Sequence, residues 1–136
     1  MRAAARYTNP VLAAMAVVLV FFIVRGLFAV STPPDLPAVR AAEKRVNDAP
    51  TAANYDDLAL AYYTAGRMAD SARAASDAIA LDPNVALYFN NLCAARNSLG
   101  EFDAALAACE SALKLDPTLS IAINNRNWAL SHKARR

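Results

Sequence analysis

The chain holds little that covalent or metal chemistry could use. Glycine is scarce: Gly26, Gly66 and Gly100 are the only three in 136 residues, too far apart to form a phosphate-cradling loop. The single histidine, His132, has no second histidine or carboxylate at ligand spacing, which excludes a histidine-based metal centre. The two cysteines, Cys93 and Cys109, are far from any Cys-x-x-Cys spacing. No strand–turn–helix sequence offers a nucleophile elbow. Asp56, Asp57, Glu101 and Asp103 fall at helix starts or on solvated faces, where carboxylates complement the helix dipole. The expectation is a protein that is not an enzyme and needs neither metal nor cofactor.

A basic face is missing as well. The formal net charge is +2, yet from Ser31 onward 11 Lys/Arg stand against 12 Asp/Glu. The excess comes from Arg2, Arg6 and Arg25 in the leading segment. Phosphate binding needs a basic surface on the folded part, so no nucleic acid partner is expected. Lys133, Arg135 and Arg136 read as a solvated tail.

Apolar residues, by contrast, are abundant at 57%, and much of the excess sits in one block. Pro10 to Val24 is uninterrupted, and after Arg25 the apolar character continues to Val30. A spanning helix needs ~20 residues, and Arg25 near one end can snorkel to the headgroups. Residues 1–30 are therefore expected to form a retained signal anchor that meets the lipid bilayer through residues 10–30. The rival is a cleaved secretory signal, with small Ala29 and Ser31 spaced as a cleavage site requires. Arg2 and Arg6 favour a cytoplasmic N-terminus and an exported remainder, periplasmic in a Gram-negative bacterium. Residues 31–37 contain Pro33, Pro34 and Pro37, which remove donors and disfavour helix before them, giving a short stiff spacer.

The rest of the chain, residues 38–136, matches itself at a spacing of 34. Leu81-Asp82-Pro83-Asn84 recurs as Leu115-Asp116-Pro117-Thr118, and Gly66 recurs as Gly100. Tyr55 aligns with Phe89, Leu58 with Leu92, Asp57 with Asn91 and Ala78 with Ala112. A repeat of this length, with an aromatic opening and small residues later, is one helical hairpin in tandem. Tyr55, Leu58, Ala59 and Tyr62 give the leading helix one buried face, and Gly66 ends it. Small Ala72, Ala75 and Ala78 let the return helix approach closely. The units span about 52–85 and 86–119, preceded by a half-repeat helix from Pro37 to Asn47. Residues 120–133 begin a third unit that departs at Arg126 and Asn127, so they read as a capping helix with a polar outer face. Each unit leaves an apolar side that only a neighbour can cover. Homo-oligomerisation is one way to supply that cover.

This pattern resembles the tetratricopeptide repeat. The resemblance implies an all-α protein-binding module whose leading helices line a concave groove. The residues it places there include Tyr63, Asn90, Asn91, Asn97, Asn124, Asn125 and Trp128. Asn91 and Asn125 match an asparagine with which some members hold the backbone of an extended peptide. An amide suits that task because it both donates and accepts. On this reading, replacing both weakens partner capture and leaves melting nearly unchanged. The lysine and arginine set with which other members clamp a C-terminal carboxylate is missing, since the first two leading helices offer only Arg96. Cys93 and Cys109 fall on the inner sides of one hairpin. They are either two small buried hydrophobes or, in an oxidising compartment, a staple across it. The function expected is a membrane-tethered adaptor for a protein or peptide partner. A subunit bracing a membrane complex and a soluble exported binder are the alternatives.

The full-length chain should remain in the membrane fraction after alkaline carbonate extraction. Recovery of a soluble mature form beginning near Thr32 would instead establish the cleaved signal.

Overall fold

The computed structural model describes residues 36–135. The expected anchor over 1–30 and spacer residues 31–35 lie outside the described residues. Those described form six helices: α1 (Pro37–Asp48), α2 (Ala52–Thr64), α3 (Met68–Leu81), α4 (Ala86–Ser98), α5 (Phe102–Leu115) and α6 (Ser120–Lys133). Each helix packs on the next, and the leading helices also meet, α2 with α4 and α4 with α6. No helix among the described residues is long and apolar enough to cross a membrane.

Local chemistry sets each boundary. Pro37 opens α1, where its missing N–H costs nothing. Thr51 Oγ1 accepts the Asn54 backbone N–H at 3.2 Å and so caps α2. The Asn54 side chain donates back to the carbonyls of Ala49, at 2.7 Å, and Arg45, at 3.3 Å, tying the end of α1 to the start of α2. Gly66 and Gly100 close the leading helices with φ of 76° and 75°. That left-handed turn lets Arg67 N–H donate to the Tyr62 carbonyl at 2.8 Å and Glu101 N–H to that of Arg96 at 3.0 Å. The Asp-Pro pairs end the return helices. Asp82 Oδ1 accepts Asn84 N–H at 3.0 Å, and Asp116 Oδ1 accepts Thr118 N–H at 2.9 Å. The Thr118 bonds hold the Asp116 carboxyl below its ordinary range.

Alanine dominates the interior. One core cluster gathers Ala42, Leu58, Ala59, Ala74 and Ala75, and the other Cys93, Ala105, Ala108, Cys109 and Ala129. Leu92 packs against both and joins them. Where α3 crosses α2, buried Ser71 Oγ donates to the Ala59 carbonyl at 2.8 Å. The half-repeat helix is held by a polar clasp: Tyr62 OH donates to Glu43 Oε1 at 2.8 Å while the Arg67 guanidinium lies 4.3 Å over the Tyr62 ring. Burial and the Glu43 carboxylate push the Tyr62 hydroxyl up to about 12.

At the other end α6 departs from the expected polar outer face. It buries Ala122 and Ala129 but leaves Leu130 half-exposed.

Cys93 on α4 and Cys109 on α5 are fully buried and joined by a disulfide, with Cα atoms 5.3 Å apart and a sequence separation of 16. Closing such a loop lowers the entropy of the unfolded chain, a stabilisation of ~3 kcal/mol. Cys93→Ala with Cys109→Ala should therefore lose about that much in urea unfolding. An unchanged midpoint would show that the bond contributes nothing.

Candidate functional site

The leading helices line one side of the stack. Between them lies an open cavity of about 400 Å³, walled by Leu60 and Tyr63 of α2, Asn90, Asn91 and Ala94 of α4, Ile121, Asn124 and Asn125 of α6, and Ser71 of α3. A second hollow of about 250 Å³ shares Tyr63, Ala94 and Asn125 with it and adds Asn97, Ser98 and Trp128. The repeat period thus brings together all seven residues that sequence reasoning placed in the groove. Ile121 and Ser71 were not anticipated. Ile121 carried a signal, being an apolar residue in the first turn of α6 outside the buried stripe.

Depth separates the seven. Asn90 and Asn97 are only 4% and 6% exposed, so they form the floor and not a reachable rim. Leu60, Ile121 and Trp128 are 55%, 44% and 42% exposed and form the walls. The Trp128 ring meets Phe102 edge-on at 5.7 Å and stacks on His132 at 3.8 Å, which fixes its outward face.

The amides are coupled to one another. Asn91 Nδ2 donates to Asp56 Oδ1 at 2.7 Å, and Asn125 Nδ2 donates to Asn90 Oδ1 at 3.0 Å. A longer contact of 3.5 Å runs from Asn90 Nδ2 to Asn91 Oδ1, completing a ladder across α2, α4 and α6. Asn97 Nδ2 donates to the Asn125 carbonyl at 2.9 Å, which leaves its Oδ1 buried without a partner. At the rim, Ser98 Oγ donates to Tyr63 OH at 3.3 Å. The pairs Asp56–Asn91, Asn90–Asn125 and Tyr63–Ser98 are each 35 residues apart, one more than the sequence period.

Electrostatically the walls are neutral, since neither hollow is lined by a charged side chain. Arg96 is paired with Glu101 and Lys133 with Asp103, both away from these walls. Asp56 stands at the α2 end of the ladder. Burial pushes its carboxyl above the ordinary range, the Asn91 bond opposes that shift, and the neighbouring Asp57 charge adds to it. Among the described residues no group of histidines, cysteines and carboxylates could hold a metal ion.

The family model of the tetratricopeptide repeat matches residues 86–119, the span of α4, α5 and the turn that follows. This hairpin is similar to a tetratricopeptide repeat. The rest of the described chain shares the tetratricopeptide-repeat fold with solved structures. The second such domain of human RPAP3, in complex with an HSP70 peptide, is 21% identical with a TM-score of 0.64, over 67% of this chain and 77% of that one. The TPR2B domain of yeast Sti1, solved with an Hsp70 ligand, is 22% identical with a TM-score of 0.64, over 73% of this chain and 82% of that one. MamA is 26% identical with a TM-score of 0.67; the match covers 77% of this chain and 57% of MamA. No curated protein matches the chain.

The ladder changes what the asparagines are expected to do. Replacing Asn125 leaves the buried Asn90 Oδ1 without its donor, and replacing Asn91 strips a half-buried carboxylate of its donor. Each loss costs about 1–3 kcal/mol. Asn91→Ala with Asn125→Ala should therefore lower the melting temperature by several degrees or more, contrary to the expectation of unchanged melting. Calorimetry giving a wild-type melting temperature would reduce the ladder to solvated surface.

Proposed function

We propose that this protein is a membrane-tethered adaptor that holds a polypeptide segment in the groove formed by α2, α4 and α6. The observation that carries the reading is a set of exposed apolar side chains, Leu60, Ile121 and Trp128, standing over a floor of amides. Side chains of this kind recognise; amides and aliphatic carbons offer no nucleophile, acid or base for turnover. The fold neighbours RPAP3 and Sti1 were solved with chaperone peptides or ligands, which supports a peptide as the occupant here. Burial of Asn90 and Asn97 assigns them to shaping the floor, while Asn91, Asn124 and Asn125 meet the peptide backbone and Tyr63 and Trp128 its side chains.

The apolar run over residues 10–30 tethers the adaptor to the bilayer with its repeats exported. Export also places Cys93 and Cys109 where a disulfide persists. Two hairpins and a cap offer a short surface, so affinity for an isolated peptide is of micromolar order, and tethering raises the effective concentration.

Leu60 and Ile121 are exposed and bear little of the fold, so serine at both positions should leave melting within ~0.5 kcal/mol. Covering them with a partner contributes about 1–2 kcal/mol each. Leu60→Ser with Ile121→Ser should therefore weaken partner capture from detergent extract by ten-fold or more. Capture at wild-type affinity by this folded variant would favour the bracing-subunit reading.

A further inference from the structure

An uncompensated charge stands beside the groove, where the amide ladder ends on α2. Asp57 is met by Arg45 at 3.4 Å, whereas among the described residues no lysine or arginine pairs with Asp56. Asp56 is half-buried and receives one side-chain hydrogen bond, from Asn91. A carboxylate in that setting lacks much of its hydration and gains from a cation brought to it. On α4 and α6, Arg96 and Lys133 are committed to Glu101 and Asp103, and Arg126, whose Nε is buried without a partner, forms no ion pair with Asp56. Beyond Asp56 the walls carry no charge, and no lysine or arginine lines them to neutralise an acidic side chain or a terminal carboxylate.

Building on the peptide-groove reading, we propose that the captured segment bears a lysine or arginine at the Asp56 end. Apolar side chains follow it, lying against Leu60 and Ile121. The cation completes the ladder that runs from Asn125 through Asn90 and Asn91 to Asp56, so the charge is read where the amide network ends. An acidic segment meets Asp56 and Asp57 with repulsion and finds no compensating cation, which rejects it. The stated chemistry is thus a basic, apolar segment of a protein chain, opposite in charge to an acidic tail.

The test uses the full-length chain in detergent micelles and a set of short Leu- and Ala-rich peptides. These differ only at one position, scanned along the peptide as Arg, Gln or Glu. Trp128, the sole tryptophan, stands in the groove wall and reports binding by its fluorescence. At one end position, Arg should bind at least ~10-fold tighter than Glu, with Gln between, and added salt should narrow the gap. Asp56→Asn keeps an acceptor for Asn91 and should bind the Gln peptide like wild type, with the Arg–Glu difference gone. Equal binding of Arg, Gln and Glu peptides to wild type would overturn the cation inference and leave the groove reading standing. Discrimination that survives in a folded Asp56→Asn would remove Asp56 from it. Binding of no peptide at any position would bring down both.

Discussion

The close approach of leading and return helices is the constraint from which the rest of this structure follows. A carbon-poor interior of alanines gives each crossing little apolar area, so the helices must meet at short range for dispersion and burial to add up. Short range in turn demands small residues at Ala59, Ala75, Ala105 and Ala112, and it brings Ser71 within reach of a helix carbonyl. A core this thin leaves polar links to carry a share of the cohesion. The Tyr62–Glu43–Arg67 clasp, the amide ladder and the disulfide tie together the first helix, the repeat-to-repeat seam and the second hairpin.

The amide ladder ties the floor of the proposed groove to its walls. Its donors and acceptors sit between helices of successive repeats, so the same groups that set the floor also set the spacing of the walls. Binding groups of this kind lose little freedom when a partner arrives, because that freedom was already lost on folding. The trade is that the buried members of the ladder are unavailable for direct contact. Exposed Leu60, Ile121 and Trp128 are left to provide most of the contact area.

Much of the fold was legible in the chain. Gly66 and Gly100 marked the ends of the leading helices and adopt nearly equal positive φ. Pro37 marked the start of α1, and the recurring Asp-Pro pairs marked the return-helix ends. The resemblance to tetratricopeptide repeats implied seven groove residues, and these line the two hollows. What the period could not give was depth and partnership. Aligning at 34 pairs Asp57 with Asn91, whereas the contacts run at 35 and pair Asp56 with Asn91. Successive leading helices are offset along their axes, so the neighbour across the seam is one residue further on than the equivalent position. That one-residue stagger sends Asn90 into the floor, and a linear alignment contains no trace of it.

The placement of the disulfide has a mechanical consequence. It joins α4 to α5 within a single hairpin and bridges no seam between repeats. If the domain is pulled from its N-terminal side, tension enters through α1 and crosses α2 and α3 before it reaches α4. The 16 residues of separation enclosed by the covalent loop are shielded from that tension, and about 55 Å of contour length stays hidden. Of the groove residues on α4, Ala94, Asn97 and Ser98 lie inside that loop and stay tethered to α5, whereas Asn90 and Asn91 precede Cys93 and can be drawn out with the first hairpin.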